Sequence, residues 1–343
     1  MAYAEGVSPF RDVAKEAKAP NAYTTLQYMD QDKTCHIAQA ADLVIMLTKG
    51  LDESKGVFKL HSTASSATWT EVSYPFSLKH DSQLTQKSNN WNVKVAGRGE
   101  RAPPSIINSN MLVLCTGAHP MTGPLPVTDI EEIGLDPALN PPLLSTMLAK
   151  DIPTAIAVIG ASHSAILVLR NLYNLASTSH PQMSINWFTR HPLRYAEERD
   201  GWIFRDNTGL KGDVASWARE NLEEDILPSS DVSKYLKKIS TTREKEQEDY
   251  KKHLPACTHV IQAIGYEKNT PPVLKKGEKH LRTAFDPLTG GFRDEKGDEI
   301  RGLYGAGIAW PNRVTDPEGN VEYAVGLAKF MSFLKEVVPN WKA

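Results

Sequence analysis

The chain has 343 residues, enough for about two domains of ordinary size, each with its own core. Its net charge of -2, with both signs spread along the chain, supplies no basic stripe for nucleic acid, and its longest apolar runs, at 43–47 and 111–115, are far short of a membrane span. The cysteines Cys35, Cys115 and Cys257 lie far apart, which excludes a disulfide framework, a C-x-x-C redox pair and a zinc site; no metal is expected, and the absence of a charged-then-apolar N-terminal pattern gives a cytoplasmic expectation.

In chain order, Ser8-Pro9-Phe10 reads as a cap with proline in the first turn, starting a helix to about residue 18. A second helix is predicted over 38–51, with Ala41, Val44, Ile45 and Leu47 on its buried side. Alternation over 57–74 gives two strands, 58–62 and 68–74, and 91–95 gives a third, followed by a polar turn at 97–104. Residues 110–115 read as a buried strand running into a turn at Thr116-Gly117, and the density of proline and glycine over 121–148 reads as a linker.

The stretch 152–191 carries the clearest chemical pattern. Ala155-Ile156-Ala157-Val158-Ile159 is a short apolar run, read as a buried parallel strand, and Gly160 follows it at once. The small or polar residues Ala161, Ser162, His163, Ser164 and Ala165 come next. Ile166, Leu167, Leu169, Leu172 and Leu175 then recur at helical spacing, and a strand over 184–189 closes a βαβ unit. Such a unit binds a dinucleotide when the turn lets backbone approach a pyrophosphate and the first helical turn offers free N-H groups. Gly160 and Ala165 match two of the three small positions of G-x-G-x-x-G/A, and Ser162 stands at the middle one. The second strand ends not in an acid but in Thr189-Arg190-His191, with Arg194 just beyond, so a guanidinium is placed for a 2'-phosphate and NADPH is expected over NADH.

Further on, 195–212 is a loop rich in aromatics and turn residues, Asp213 is placed to cap a helix to about 223, and the charge run 243–253 reads as a solvated helix or surface insertion rather than a binding element. A second apolar run, 257–264, ends at Gly265-Tyr266 in the manner of 110–117. A hairpin is predicted over 283–301, with turn signals at Asp286-Pro287 and Gly290-Gly291. Residues 302–309 form a strand entering a glycine turn at Gly305 and Gly307, and a helix is expected from Val321 to about 337, capped by Asn320.

Four phrases in this order, LVLCTGAHP, VIGASHSA with FTRHP, VIQAIGYEKN, and LYGAGIA followed by EGNVEYAVGLAKFM, resemble the flavoprotein monooxygenases that include flavin-containing, Baeyer-Villiger and N-hydroxylating enzymes, and more narrowly a fungal branch of FAD/NAD(P)-binding oxidoreductases. The resemblance covers roughly 90–340. It implies an α/β fold in which an NADPH-binding Rossmann-like domain, 151–265, is inserted into an incomplete FAD-type domain made of 1–118 and 266–343, with 119–150 as linker. Thr116-Gly117 and Gly265 would then be the crossings between domains. Gly160 to Ala165 would be the NADPH loop, Arg190 the 2'-phosphate residue, Gly305 and Gly307 the return to the FAD pyrophosphate and ribityl chain, and Val321 the start of a helix aimed at the flavin. Residues 1–55 contain only Gly6 and Gly50, so the family's first strand and glycine loop are expected to be missing here, with a severe loss of FAD affinity, and Ala306 stands beside Gly305 where an Asp is usual.

The implied function is an FAD- and NADPH-dependent oxidoreductase, a monooxygenase acting on a small organic molecule such as a secondary metabolite, with no nucleic-acid or membrane partner and with homo-oligomers left open. The alternative is a flavin-free remnant that binds NADPH or nothing and serves as a regulator, an interaction protein or a cofactor-independent catalyst. No catalytic acid or base is demanded, and His119, His163 and Asp206 are read as loop residues. A short-chain dehydrogenase is disfavoured because Tyr235 is followed by Lys237 and Lys238, one short of Tyr-x-x-x-Lys.

Overall fold

A computed structural model describes residues 12–13, 15–30, 37–77, 83–97 and 104–343. The chain divides into two compact units, one of which interrupts the other: Met1–Gly117, Asn269–Val314 and Tyr323–Ala343 make the split unit, and Ala118–Lys268 with Thr315–Glu322 makes the inserted unit.

The inserted unit is built on five strands, β1 (Glu131–Glu132), β2 (Thr154–Ile159), β3 (Met183–Thr189), β4 (Leu236–Ser240) and β5 (His259–Gln262), in the order β4-β3-β2-β5-β1. Every pairing is parallel. A strand covered on both faces must be apolar on both, and β2 meets that demand by alternation. Ile156 and Val158 enter one core, while Ala157 and Ile159 enter the other. The first core is closed by helix α3 (His163–Thr178), through Ala165, Ile166, Val168, Leu169 and Leu172, and by α4 (Gly212–Asn221), through Val214, Ala215 and Ala218. The second is closed by α5 (Glu246–His253), whose Tyr250 is buried there. The chain therefore changes face between β4 and β5, next to β2, as in doubly wound sheets.

The stretch expected as a linker, 119–150, is part of this unit. Its edge strand β1 pairs with β5, and two short helices, α1 (Leu135–Ala138) and α2 (Pro141–Met147), carry Leu135, Ala138 and Leu144 into the core with Ile133 and Leu148. The prolines that suggested a linker start α2 instead: the Asn140 side chain accepts from Leu143 N at 3.3 Å, and Pro141 and Pro142 occupy first-turn positions that need no N-H. Asn171 of α3 donates to the Ala138 carbonyl at 3.1 Å and ties the segment down.

In the split unit one sheet has the order Lys279–His280, Val273–Lys276, Ala64–Ser77, Gln83–Val95, Ser105–Ser109, and another the order Ala284–Phe285, Gly291–Arg293, Glu299–Gly305, Leu112–Leu114. The expected strand at 58–62 is not one; Ala64–Ser77 instead pairs antiparallel with Gln83–Val95 along its length. Leu112–Leu114 is an edge strand that buries Leu114 and leaves Val113 exposed, and the expected hairpin over 283–301 is a three-stranded meander. The helix predicted over 38–51 is Ile37–Asp52, but Leu43 and Leu47 form its buried stripe while Val44 and Ile45 face solvent, because Val13, Tyr23 and Leu26 pack against the other side. Ser8-Pro9-Phe10, Cys35 and most of the polar turn at 97–104 lie outside the described residues.

The C-terminal helix runs Leu327–Val337 and starts after Gly326, six residues later than expected. Val321–Tyr323 is a strand. Two sets of bonds account for this: the Glu322 carboxylate accepts from Asn207 N at 3.0 Å, Asn207 Nδ2 at 3.1 Å and Thr208 Oγ1 at 2.5 Å, and Asn320 bonds Asp316 through its N and Nδ2, both at 2.8 Å, rather than capping a helix. Among the described residues no helix is long and apolar enough to cross a membrane, and no cluster of three or more His, Cys, Asp or Glu is placed for a metal.

Gly160 has φ +134°, and a Cβ there would lie 2.3 Å from the Ala263 carbonyl oxygen. Gly160→Ala is expected to cost about 2–4 kcal/mol, from strain plus overpacking. Gly201→Ala, at φ +81° with open space around it, is expected to cost about 1–2 kcal/mol. Equal urea midpoints for the two variants would contradict the close packing at Gly160.

Candidate nucleotide-binding site

The carboxyl ends of β2, β3, β4 and β5 open into a cleft of about 450 Å³ that lies wholly within the inserted unit. It sits at the point where the crossovers diverge to the two faces of the sheet, the place where open α/β sheets bind ligands. Its floor is the turn from β2 to α3. Gly160 N donates to the Phe188 carbonyl at 3.0 Å, Ala263 N donates to the Ile159 carbonyl at 2.8 Å, and the fully buried Trp187 donates from Nε1 to the Gly160 carbonyl at 2.7 Å. With its two neighbouring strands fixing it, this backbone is set before any ligand arrives.

Ser162 is the N-cap of α3 in extended conformation, yet its hydroxyl caps no first-turn amide; it donates to the Ala263 carbonyl at 3.3 Å. The helix therefore presents its N-terminal amides without a side-chain acceptor, which is the arrangement that receives an anion. Ala165 lies fully buried directly under Gly160, its Cβ 3.4 Å from where a Gly160 Cβ would be. Of the expected residues, Gly160, Ala161, Ser162, Arg190 and Gly265 line the cleft. His163, Ser164 and Ala165 do not: Ala165 serves packing and the Ser164 hydroxyl bonds to Tyr266. Partial desolvation, then the charges of Arg170 and Lys211, hold the His163 imidazole below the ordinary histidine range, so it brings no positive charge to the helix start near neutral pH.

Arg190 reaches the cleft from the end of β3, where its Nη1 donates to Glu246 Oε2 at 3.3 Å. Tyr250, one turn further along α5, packs edge-on against Phe188 with centroids 5.4 Å apart. Burial, then the Glu246 charge, pushes the Tyr250 phenol up to about 12, so it stays protonated. The opposite wall is held by Gln262, which is buried and fully paired: Oε1 accepts from Gly123 N at 2.9 Å, and Nε2 donates to the Gly123 carbonyl at 3.1 Å and to Glu132 at 3.3 Å. Sequence reasoning passed over Trp187, Gln262, Arg243 and Glu246. The available signals were a single polar residue in the apolar run VIQAIG and the position of the charge run directly after β4.

The remaining expected residues are elsewhere. Thr116, Gly117, Gly305 and Gly307 belong to the split unit. Gly117 has φ +73° and Gly307 φ +79°, and the Thr116 hydroxyl is buried with no partner among the described residues. Gly305 is explained by packing: a Cβ there would lie 2.7 Å from the Trp310 ring, which packs tilted against Phe285 and edge-to-face against Phe292. Val321, in an extended strand, contributes nothing to a helix N-terminus. His119 is not a loop residue as expected: it lies on the strand Ala118–Pro120 and pairs with Glu267 of the opposing strand at 3.1 Å, while Asp206 pairs with Lys211 five residues on.

No protein-family model matches the chain. The monooxygenase AgnR1 of Paecilomyces divaricatus is 43% identical over 345 residues, covering 100% of this chain and 84% of that protein. Among solved structures, similarity extends to an NAD-dependent persulfide reductase from A. fulgidus (TM-score 0.41, 16% identity, 74% of this chain and 42% of that one). It also extends to the FAD-bound cadaverine monooxygenase DfoA of Erwinia amylovora (TM-score 0.32, 13% identity, 87% and 59%). A third is the ornithine N-hydroxylase KtzI of Kutzneria sp. 744 (TM-score 0.31, 12% identity, 80% and 63%). The chain thus spans 42% to 63% of the length of these three structures.

Replacing Gln262 with Leu keeps the volume but leaves the Gly123 N-H and C=O without partners. The variant is expected to lose about 1–3 kcal/mol of stability and to lose amide-exchange protection at Gly123. Unchanged protection there would remove Gln262 from its role as the wall's anchor.

Proposed function

The chain belongs to the family of the Paecilomyces divaricatus monooxygenase AgnR1, and from that membership we propose that it is an NADPH-dependent flavin monooxygenase acting on a small organic substrate. The observation that carries the nicotinamide part is the cleft at the sheet's switch point, where the unhindered Gly160 turn, the uncapped start of α3 and the Arg190 guanidinium border one space. When bound, the nicotinamide supplies reducing equivalents and the flavin supplies oxygen activation.

The protein's part in this reading is positioning and charge. The amides at the start of α3 donate to the diphosphate, and Gly160 lets the turn that carries them close against the Ala263 carbonyl. Arg190 reads the 2'-phosphate. Gln262 holds the wall at Gly123, and the neutral Tyr250 remains a hydrogen-bond donor on the far side. No side chain is assigned a proton transfer.

For the flavin, the split unit fits in part. Thr116, with its unpartnered hydroxyl, and the left-handed Gly117 and Gly307 are the residues that would meet it. Trp310 packed on Gly305 fills the space that a cofactor would need at that turn, and no strand-glycine-helix unit occurs among the described residues of the split unit. That packing favours a second reading, in which the chain binds NADPH without flavin.

Two measurements test these readings. Purified protein with a visible flavin absorbance band supports the monooxygenase; a colourless protein still stabilised by NADPH supports the second reading. NADPH is expected to raise unfolding stability by about 2.7 kcal/mol at a hundredfold excess over its dissociation constant, with NADH weaker. Arg190→Gln is expected to remove the difference between them, and equal stabilisation by both in the wild type would strip Arg190 of this role.

A further inference from the structure

We infer that Glu246 sets the selectivity of the cleft by competing with a ligand's 2'-phosphate for the Arg190 guanidinium; the inference rests on the dinucleotide reading above. The Arg190 Nη1 to Glu246 Oε2 contact of 3.3 Å engages one nitrogen of the guanidinium that follows β3 into the cleft, and the carboxylate is the less exposed partner, at 20% against 40%. Glu246 is the first residue of α5, where the positive end of the helix favours a carboxylate. Tyr250, buried against Phe188, pins that helix to the sheet one turn later. The carboxylate therefore cannot withdraw far when a ligand enters.

The neighbouring charges do not remove the competition. Arg243 lines the same cleft from the loop before α5, and on the other side of Arg190 the Lys238 ammonium is itself paired with Glu224 at 3.3 Å. A phosphate approaching Arg190 meets one carboxylate already bound to it, and like charges at this range oppose each other. A bare 2'-hydroxyl meets no such opposition; it can donate a hydrogen bond to Glu246 and leave the ion pair intact. Selectivity for the phosphorylated dinucleotide is thus smaller than an arginine alone would give, and the cleft admits both forms.

The test is calorimetric binding of adenosine 2',5'-bisphosphate and of AMP to the full chain, as wild type, Glu246→Gln, Arg190→Gln and the double variant. Because the pair is partly exposed, Glu246→Gln is expected to tighten the bisphosphate by about three- to tenfold. AMP should be unchanged or weaker. The double variant should lose the gain, since the gain acts through Arg190. A purely structural role for Glu246 would shift both nucleotides together. A ratio of affinities that stays the same or falls in Glu246→Gln, while Arg190→Gln still weakens the bisphosphate, overturns the inference and leaves the dinucleotide reading standing. A folded wild type that binds neither nucleotide overturns both.

Discussion

The inserted unit depends on one close approach, between the backbone of Gly160 and the carbonyl of Ala263, where a Cβ would come within 2.3 Å of the oxygen. That contact draws the end of β2 against the strand that returns from the other face of the sheet. Every later feature of the site is placed relative to it: Trp187 fixes the Gly160 carbonyl, Ser162 fixes the Ala263 carbonyl, and Ala165 fills the space beneath. The residue that looks like a departure from the glycine pattern, Ser162, is accounted for by this bond. Its hydroxyl bonds the neighbouring strand and leaves the first-turn amides of α3 without a side-chain acceptor.

How much of this could be read beforehand follows from the range of the interactions. The β2-α3-β3 unit was legible because its determinants are local: an apolar run, a glycine, and a stripe recurring every three or four residues. The segment before it was misread because proline and glycine mark both linkers and the starts of short helices; only packing against Asn171 and the α3 core decides between them. Val321 was placed on a helix because Asn320 resembles a cap. What overrides that signal is Glu322, held by Asn207 and Thr208 more than a hundred positions earlier in the chain, a contact with no local trace. The charge run beginning at Arg243 reads as a solvated helix or surface insertion rather than a binding element; it does form the helix Glu246–His253, but hydropathy alone does not reveal that its first turn borders a cleft.

Glycines also divide by cause. Gly160 and Gly305 look alike in sequence, each closing an apolar strand. In the first, the obstructing atom is backbone of an adjacent strand, and the glycine also borders the cleft. In the second, the obstruction is the ring of Trp310, clustered with Phe285 and Phe292 at centroid separations of 4.9 to 5.4 Å. There the glycine exists to let an aromatic core close. A strand-glycine phrase therefore has two physical meanings, and the partner atom distinguishes them.

The insertion itself has a simple basis. Where the main segment of the inserted unit begins and ends, Ala118–Pro120 pairs antiparallel with Tyr266–Lys268, so that segment's two ends are already side by side. In the split unit, Asn269 donates from N to the Gly117 carbonyl at 3.1 Å and from Nδ2 to the Thr116 carbonyl at 2.9 Å, closing the gap there as well. Each unit is thus sealed at the junction by its own hydrogen bonds. An insertion of about 150 residues behaves for the split unit as a short loop, because the entropy of bringing its ends together is met by bonds inside the insert. The Thr-Gly turn and Gly265, which the sequence marks as a pair, are the two sides of that seal. Their glycines, at φ +73° and +125°, turn the chain where the paired ribbon meets each unit's own sheet.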